Sequence, residues 1–178
     1  MDCFIIYQKL TIMLKILLSF LLMSVQYVFA QQNTFILIRH AEKDTTVQGS
    51  TTMNANPPLS KQGLKRAKKL VKALKKYSVD EIYSTDFVRT KTTVEPLSVK
   101  TDIDIKTYNH KQLKEFANML VAKQNKTIVI AGHSNSTPAL VNLIIKKETY
   151  PALDESIYNK IYIVKQNNNE FTVEVKEY

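Results

Sequence analysis

Two runs of branched apolar residues, Thr34-Phe35-Ile36-Leu37-Ile38 and Thr127-Ile128-Val129-Ile130-Ala131, constrain the fold more than any other feature of this chain. A strand with one wet face alternates polar and apolar positions. An unbroken apolar run is instead the pattern of a parallel strand covered on both faces. Val79 to Ser84 reads as a third strand, and Ile103 to Tyr108 as a fourth. Between the strands the period changes to that of a helix. From Ser60 to Tyr77, Leu64, Ala67, Leu70, Val71 and Leu74 recur at helical spacing among lysines, with Ser60 as the N-cap. Lys111 to Lys123 repeats the pattern through Leu113, Phe116, Ala117 and Leu120, and another helix spans about Pro138 to Lys147. Lys160 to Val164 and Phe171 to Val175, separated by Asn167-Asn168-Asn169, read as an antiparallel hairpin. This alternation predicts a three-layer α/β/α sandwich, with a mostly parallel central sheet and the C-terminal hairpin at its edge.

A chain of 178 residues has room for one domain with a sizeable core. Its apolar fraction of 44% excludes the disordered and fibrous classes. The net charge of +9 would attract nucleic acid, anionic membrane surfaces and phosphorylated small molecules alike. The N-terminus narrows that choice. Lys15 precedes an apolar stretch from Ile16 to Met23, followed by Val28-Phe29-Ala30 and then Gln31-Gln32. A positive residue, a short apolar stretch and a small-x-small ending form the pattern of a secretory signal peptide. The stretch falls short of the roughly 20 residues a membrane span needs. Residues 1–30 are therefore expected to be removed, with Met13 as an alternative start. The remaining domain, 31–178, is expected to be exported to a periplasmic or extracellular space, without stable membrane insertion. Cleavage would also remove Cys3, the only cysteine, leaving neither disulfide nor thiolate chemistry. Export disfavours nucleic acid as a partner and leaves a small phosphorylated molecule.

The strand ends carry the chemistry. The first apolar run stops at Arg39-His40 and the second at Gly132-His133, and ligands of open parallel sheets bind at the carboxyl ends of the strands. Two of the chain's three histidines thus converge on one sheet edge. His110 follows neither run and is read as structural. Ser84-Thr85-Asp86 closes the third strand, and Asp86 is placed to cap a helix carrying Arg89 on its first turn. Guanidinium forks match phosphate oxygens bidentately, which a lysine cannot do. A histidine nucleophile must be neutral on its attacking nitrogen, a state that neighbouring arginines favour. Ser134 and Asn135 follow His133 at the start of the next helix, where backbone N–H groups suit an anion.

Four blocks of sequence resemble the histidine phosphatase superfamily, in its phosphoglycerate mutase-like branch 1. They are Ile38-Arg39-His40-Ala41-Glu42; Leu59-Ser60-x-x-Gly63-x-x-Arg66-Ala67; Tyr83-Ser84-Thr85-Asp86-x-x-Arg89-Thr90-x-x-Thr93; and Gly132-His133-Ser134-Asn135. They stand in the family's order and span most of the chain after residue 30. The resemblance implies a phosphatase in which His40 is phosphorylated during turnover, while Arg39, Arg89 and His133 form the phosphate pocket. It implies no metal or organic cofactor.

Three departures from the family pattern matter. Ala41 replaces a glycine. Lys43-Asp44-Thr45-Thr46 stands where mutases carry a further asparagine. Family members that cleave alkyl phosphates also place a carboxylic acid between the second arginine and the second histidine. Here Asp102, Asp104 and Glu115 are available, Glu115 lies opposite an apolar stripe, and Asn109 stands where an acid is expected. Glu42 and Asp86 are the candidate acids nearest the phosphate site. Without a well-placed acid the chain is expected to favour good leaving groups. The alternatives to a phosphatase are a non-catalytic phosphate-binding module and, less favoured by the short chain, a phosphomutase.

Overall fold

The computed structural model describes residues 7–16, 32–46 and 56–178. Contacts divide the chain into two units, Met1–Ala30 and Gln31–Tyr178. In the first, residues 7–16 are helical. The rest of the apolar stretch expected to act as a signal peptide, and its cleavage site, lie outside the described residues.

The second unit alternates strands and helices: β1 (Gln32–Arg39), α1 (Lys61–Ala73), β2 (Glu81–Thr85), α2 (Val88–Thr101), β3 (Ile105–Tyr108), α3 (Leu113–Val121), β4 (Thr127–Gly132), α4 (Ser136–Ile145), β5 (Lys160–Asn167) and β6 (Glu170–Glu177). The sheet order is β3-β2-β4-β1-β5-β6. The first four of these are mutually parallel, and the hairpin joins antiparallel beside β1. The sandwich expected from the apolar runs is the one observed.

Period-two alternation splits the core into two layers. Ile36, Ile38, Val129 and Ala131 face Leu70, Leu74, Val94 and Leu97 of the α1–α2 layer. Phe35, Leu37, Ile128 and Ile130 face Phe116, Leu120, Leu140 and Ile144 of the α3–α4 layer. Ser60 caps α1 as expected, its hydroxyl accepting from the Gly63 amide at 3.1 Å. Gly63 also lets α1 press against the loop after β1, because a Cβ there would stand 2.3 Å from the Glu42 carbonyl oxygen. Asp86 does not cap α2. The Val88 amide donates instead to Asn56 Oδ1 at 2.8 Å, so the cap comes from a segment distant in sequence.

Candidate active site

Register brings the two histidines together. Arg39 pairs with Gly132, so β1 and β4 end level, and the His40 amide donates to the Gly132 carbonyl at 2.9 Å. The imidazoles of His40 and His133 then sit edge to face, with centroids 5.5 Å apart. The loop after His40 is tied to α2, since the Ala41 amide donates to Thr93 Oγ1 at 2.9 Å and that hydroxyl donates to the Arg89 carbonyl.

Hydrogen bonds assign both tautomers. His40 Nδ1 lies 2.7 Å from the Ala41 carbonyl, which can only accept. Nδ1 therefore carries the proton, and Nε2 keeps its lone pair. His133 Nδ1 faces Arg89 Nη2 at 3.4 Å, and a guanidinium can only donate, so its proton is on Nε2. That proton points at Thr85 Oγ1, 3.0 Å away, which in turn meets Thr90 Oγ1 at 2.8 Å. Burial is the main cause that lowers both imidazoles to about 3, and Arg89 and Arg39 add to it. For His40 the hydrogen bond to Ala41 opposes this shift.

His40, Arg89 and His133 line a cavity of about 420 Å³, together with Ser134 and Asn135. Arg39 does not line it. The guanidinium is almost fully buried and lies over the Tyr158 ring. Its Nη1 donates to the carbonyls of Asp154, Glu155 and Ile157, and its Nη2 to the Glu155 carboxylate at 2.7 Å. Strand alternation explains the difference, because Arg39 projects with Phe35 and Leu37. The helix-end amides are also partly engaged: His133 N donates to Ser136 Oγ and Ser136 N to Asn135 Oδ1.

Neither candidate acid reaches the cavity. Burial raises the Glu42 carboxyl, but hydrogen bonds from Arg66 outweigh this and hold it below the usual range. Asp86 is exposed and paired with Lys91. Lys43, Phe87, His110 and Glu155, none of them expected as site residues, also line the cavity. His110, read as structural from the sequence, sits on the cavity wall with its ring 5.5 Å from that of His133 and 5.6 Å from that of Phe87.

A profile of the histidine phosphatase superfamily (branch 1) matches residues 35–134, more than half of the chain. The chain belongs to that superfamily. Membership places it among the phosphatases, hydrolases of phosphate esters. Solved histidine phosphatase-like structures share the fold. An alpha-ribazole phosphatase from Shigella flexneri is 16% identical with a TM-score of 0.67, over 82% of this chain and 96% of that one. A mycobacterial glucosyl-3-phosphoglycerate phosphatase is 12% identical with a TM-score of 0.64, over 83% and 99%. A phosphoserine phosphatase from Entamoeba histolytica, solved with phosphoserine, is 16% identical with a TM-score of 0.59, over 79% and 94%. No curated protein matches the sequence.

In this superfamily member, the 154–158 segment is the part that sequence reasoning missed. Glu155 Oε1 accepts from the Ser134 hydroxyl at 2.7 Å, while Oε2 takes Arg39. The Ser134 bond is the first cause holding this carboxyl below the usual range; burial opposes it, and Arg39 adds to it. The acidic side chain thus stands among the groups expected to hold phosphate.

Proposed function

We propose that this domain hydrolyses a small phosphorylated compound through a phosphohistidine formed on His40. The observation that carries the reading is the Nδ1 bond to the Ala41 carbonyl, which fixes the proton on one nitrogen and leaves Nε2 as a lone-pair nucleophile. Attack on phosphorus gathers negative charge on the three equatorial oxygens. Arg89 faces the cavity to neutralise that charge, with Lys43 on the rim. A bound dianion favours a proton on His133 Nδ1, turning that nitrogen from an acceptor for Arg89 into a donor to phosphate. Water then attacks the phosphohistidine and releases inorganic phosphate. Labelled phosphate transferred from a small-molecule donor should be recovered as an acid-labile adduct, and His40→Ala should yield neither adduct nor turnover. A variant within about tenfold of wild type, a barrier change near 1.4 kcal/mol, would overturn the nucleophile assignment.

Export of the domain is part of the same proposal, supported by Lys15, the apolar stretch and Val28-Phe29-Ala30. N-terminal sequencing of the exported protein should begin at Gln31. An intact Met1 or Met13 would refute it.

A further inference from the structure

The departure most damaging to hydrolysis of alkyl phosphates is that no carboxylic acid between Arg89 and His133 lines the cavity, and the fold supplies a different group in that interval. Thr85 pairs with Tyr108, so β2 and β3 end level as β1 and β4 do. Two residues beyond that pair, Phe87 and His110 meet at 5.6 Å. The turn carrying His110 is held by its neighbour: Asn109 Oδ1 accepts from the Lys111 amide at 3.0 Å, and the Asn109 carbonyl accepts from the Gln112 amide at 3.0 Å. Asn109 cannot donate a proton as an acid does. It instead fixes the turn that presents His110 to the cavity.

The other groups that could give up a proton are placed or charged wrongly. Asp102 and Asp104 precede β3 and so lie at the amino edge of the sheet, away from the strand ends that bear the site. Glu115 is exposed and lines a separate cavity beside Tyr83 and Phe116. Glu155 faces the site but spends its oxygens on Arg39 and Ser134. Arg89 and Lys43 line the cavity as the cations that offset the phosphate charge, a role that requires them to keep their protons. His133 Nδ1, beside Arg89, is committed in the reading above to a phosphate oxygen, not to the leaving group. That leaves an imidazole, the side chain best suited to exchanging a proton near neutrality.

We infer that His110 is the proton donor to the leaving group, an inference that rests on the phosphohistidine reading above. In the first half-reaction His40 Nε2 bonds to phosphorus and the bond from phosphorus to the ester oxygen breaks. The electron pair stays on that oxygen, which takes the proton of the His110 imidazolium and departs as an alcohol. In the second, neutral His110 accepts a proton from the attacking water while its oxygen bonds to phosphorus. The P–N pair returns to His40, inorganic phosphate leaves, and His110 is again protonated. His133, Arg89, Lys43, His40 and the Glu155 carboxylate face the same cavity, and a bound phosphate dianion adds the negative charge that favours the imidazolium.

The test is the dependence of kcat/KM on the leaving group, measured on the full chain with 4-nitrophenyl, phenyl and benzyl phosphate. His110→Ala and His110→Gln should each lose about a hundredfold or more on benzyl phosphate and less than tenfold on 4-nitrophenyl phosphate, whose leaving group needs no proton. Both variants should still form the His40 adduct from 4-nitrophenyl phosphate, which also reports an intact fold. An equal loss on all three esters would make His110 a structural residue and overturn the inference, as would losses under tenfold throughout. A selective loss in Glu155→Gln, but not in the His110 variants, would move the role to Glu155. If wild type forms no adduct from any ester, the phosphohistidine reading itself fails, and it fails before any His110 variant is made.

Discussion

Arg39 and Glu155 are joined at 2.7 Å, a buried guanidinium held by a carboxylate whose side chain is 70% exposed. The same carboxylate binds Ser134, so one acidic side chain bridges the ends of β1 and β4 beside the cavity that holds the two histidines. A carboxylate lining that cavity puts negative charge beside any phosphate bound there and opposes its binding.

Glu155→Gln should therefore tighten the binding of inorganic phosphate. Removing one negative charge from a partly exposed site is worth a few-fold to tenfold in Kd, given the screening of exposed pairs. Competitive inhibition by phosphate at low and moderate ionic strength checks it. Weaker binding would mean that Glu155 holds Arg39 in its working position instead of opposing the ligand.

Thr85→Val removes a hydroxyl at nearly constant volume and leaves His133 Nε2–H buried without its acceptor. The expected cost is about 1–3 kcal/mol of stability. The larger effect should fall on turnover, because His133 loses the bond that fixes its tautomer. A denaturation midpoint measured beside kcat separates the two. An unchanged kcat would show that the tautomer is set by Arg89 alone.

Gly132 has no room for a side chain. A Cβ there would stand 2.8 Å from Thr137 Oγ1 and 2.9 Å from the Tyr108 hydroxyl. Gly132→Ala should destabilise the domain by about 1–3 kcal/mol through overpacking and displace the adjoining His133. Urea midpoints would reveal it, and a neutral substitution would mean that the start of α4 can shift at little cost.

Stability should also depend on pH through the two site histidines. Each is kept neutral down to about 3 in the folded protein, whereas an unfolded histidine protonates near about 6.5. Between these values the unfolded chain binds more protons, so stability rises with pH. This contribution is complete above the unfolded value and is lost as pH falls toward 3, at most at about 2.7 kcal/mol per pH unit for two protons. Glu81, where burial raises the carboxyl but hydrogen bonds from Lys106, Lys123 and Tyr83 outweigh it and hold it at about 2, adds an acid loss that begins only below 4.5 and so leaves the comparison of pH 7 with pH 5 to the histidines. Midpoints at pH 7 and pH 5 for wild type and His40→Asn/His133→Asn isolate the histidine part. An equal acid loss in both proteins would refute it.

The strands and the histidines at their ends were legible because they rest on local pattern. Phe35 to Ile38 and Ile128 to Ala131 are apolar without a break, which only a doubly covered strand tolerates, and each run ends on a histidine that must then lie at a strand end. Ser60 announced its own helix for the same reason, since a cap acts within one turn. Asp86 had the same local pattern and failed, because Asn56 reached the α2 terminus from another segment. What only the tertiary structure decided depends on neighbours distant in the chain. The insertion of β4 between β1 and β2 makes His40 and His133 adjacent. The level ending of β2 and β3 turns His110 from a loop residue into a wall of the cavity. Arg39 and Glu155 meet across 116 positions. Composition and spacing specify which elements form, because those depend on a residue and its next few neighbours. Strand order and register settle which ends meet, and those follow from packing the whole core.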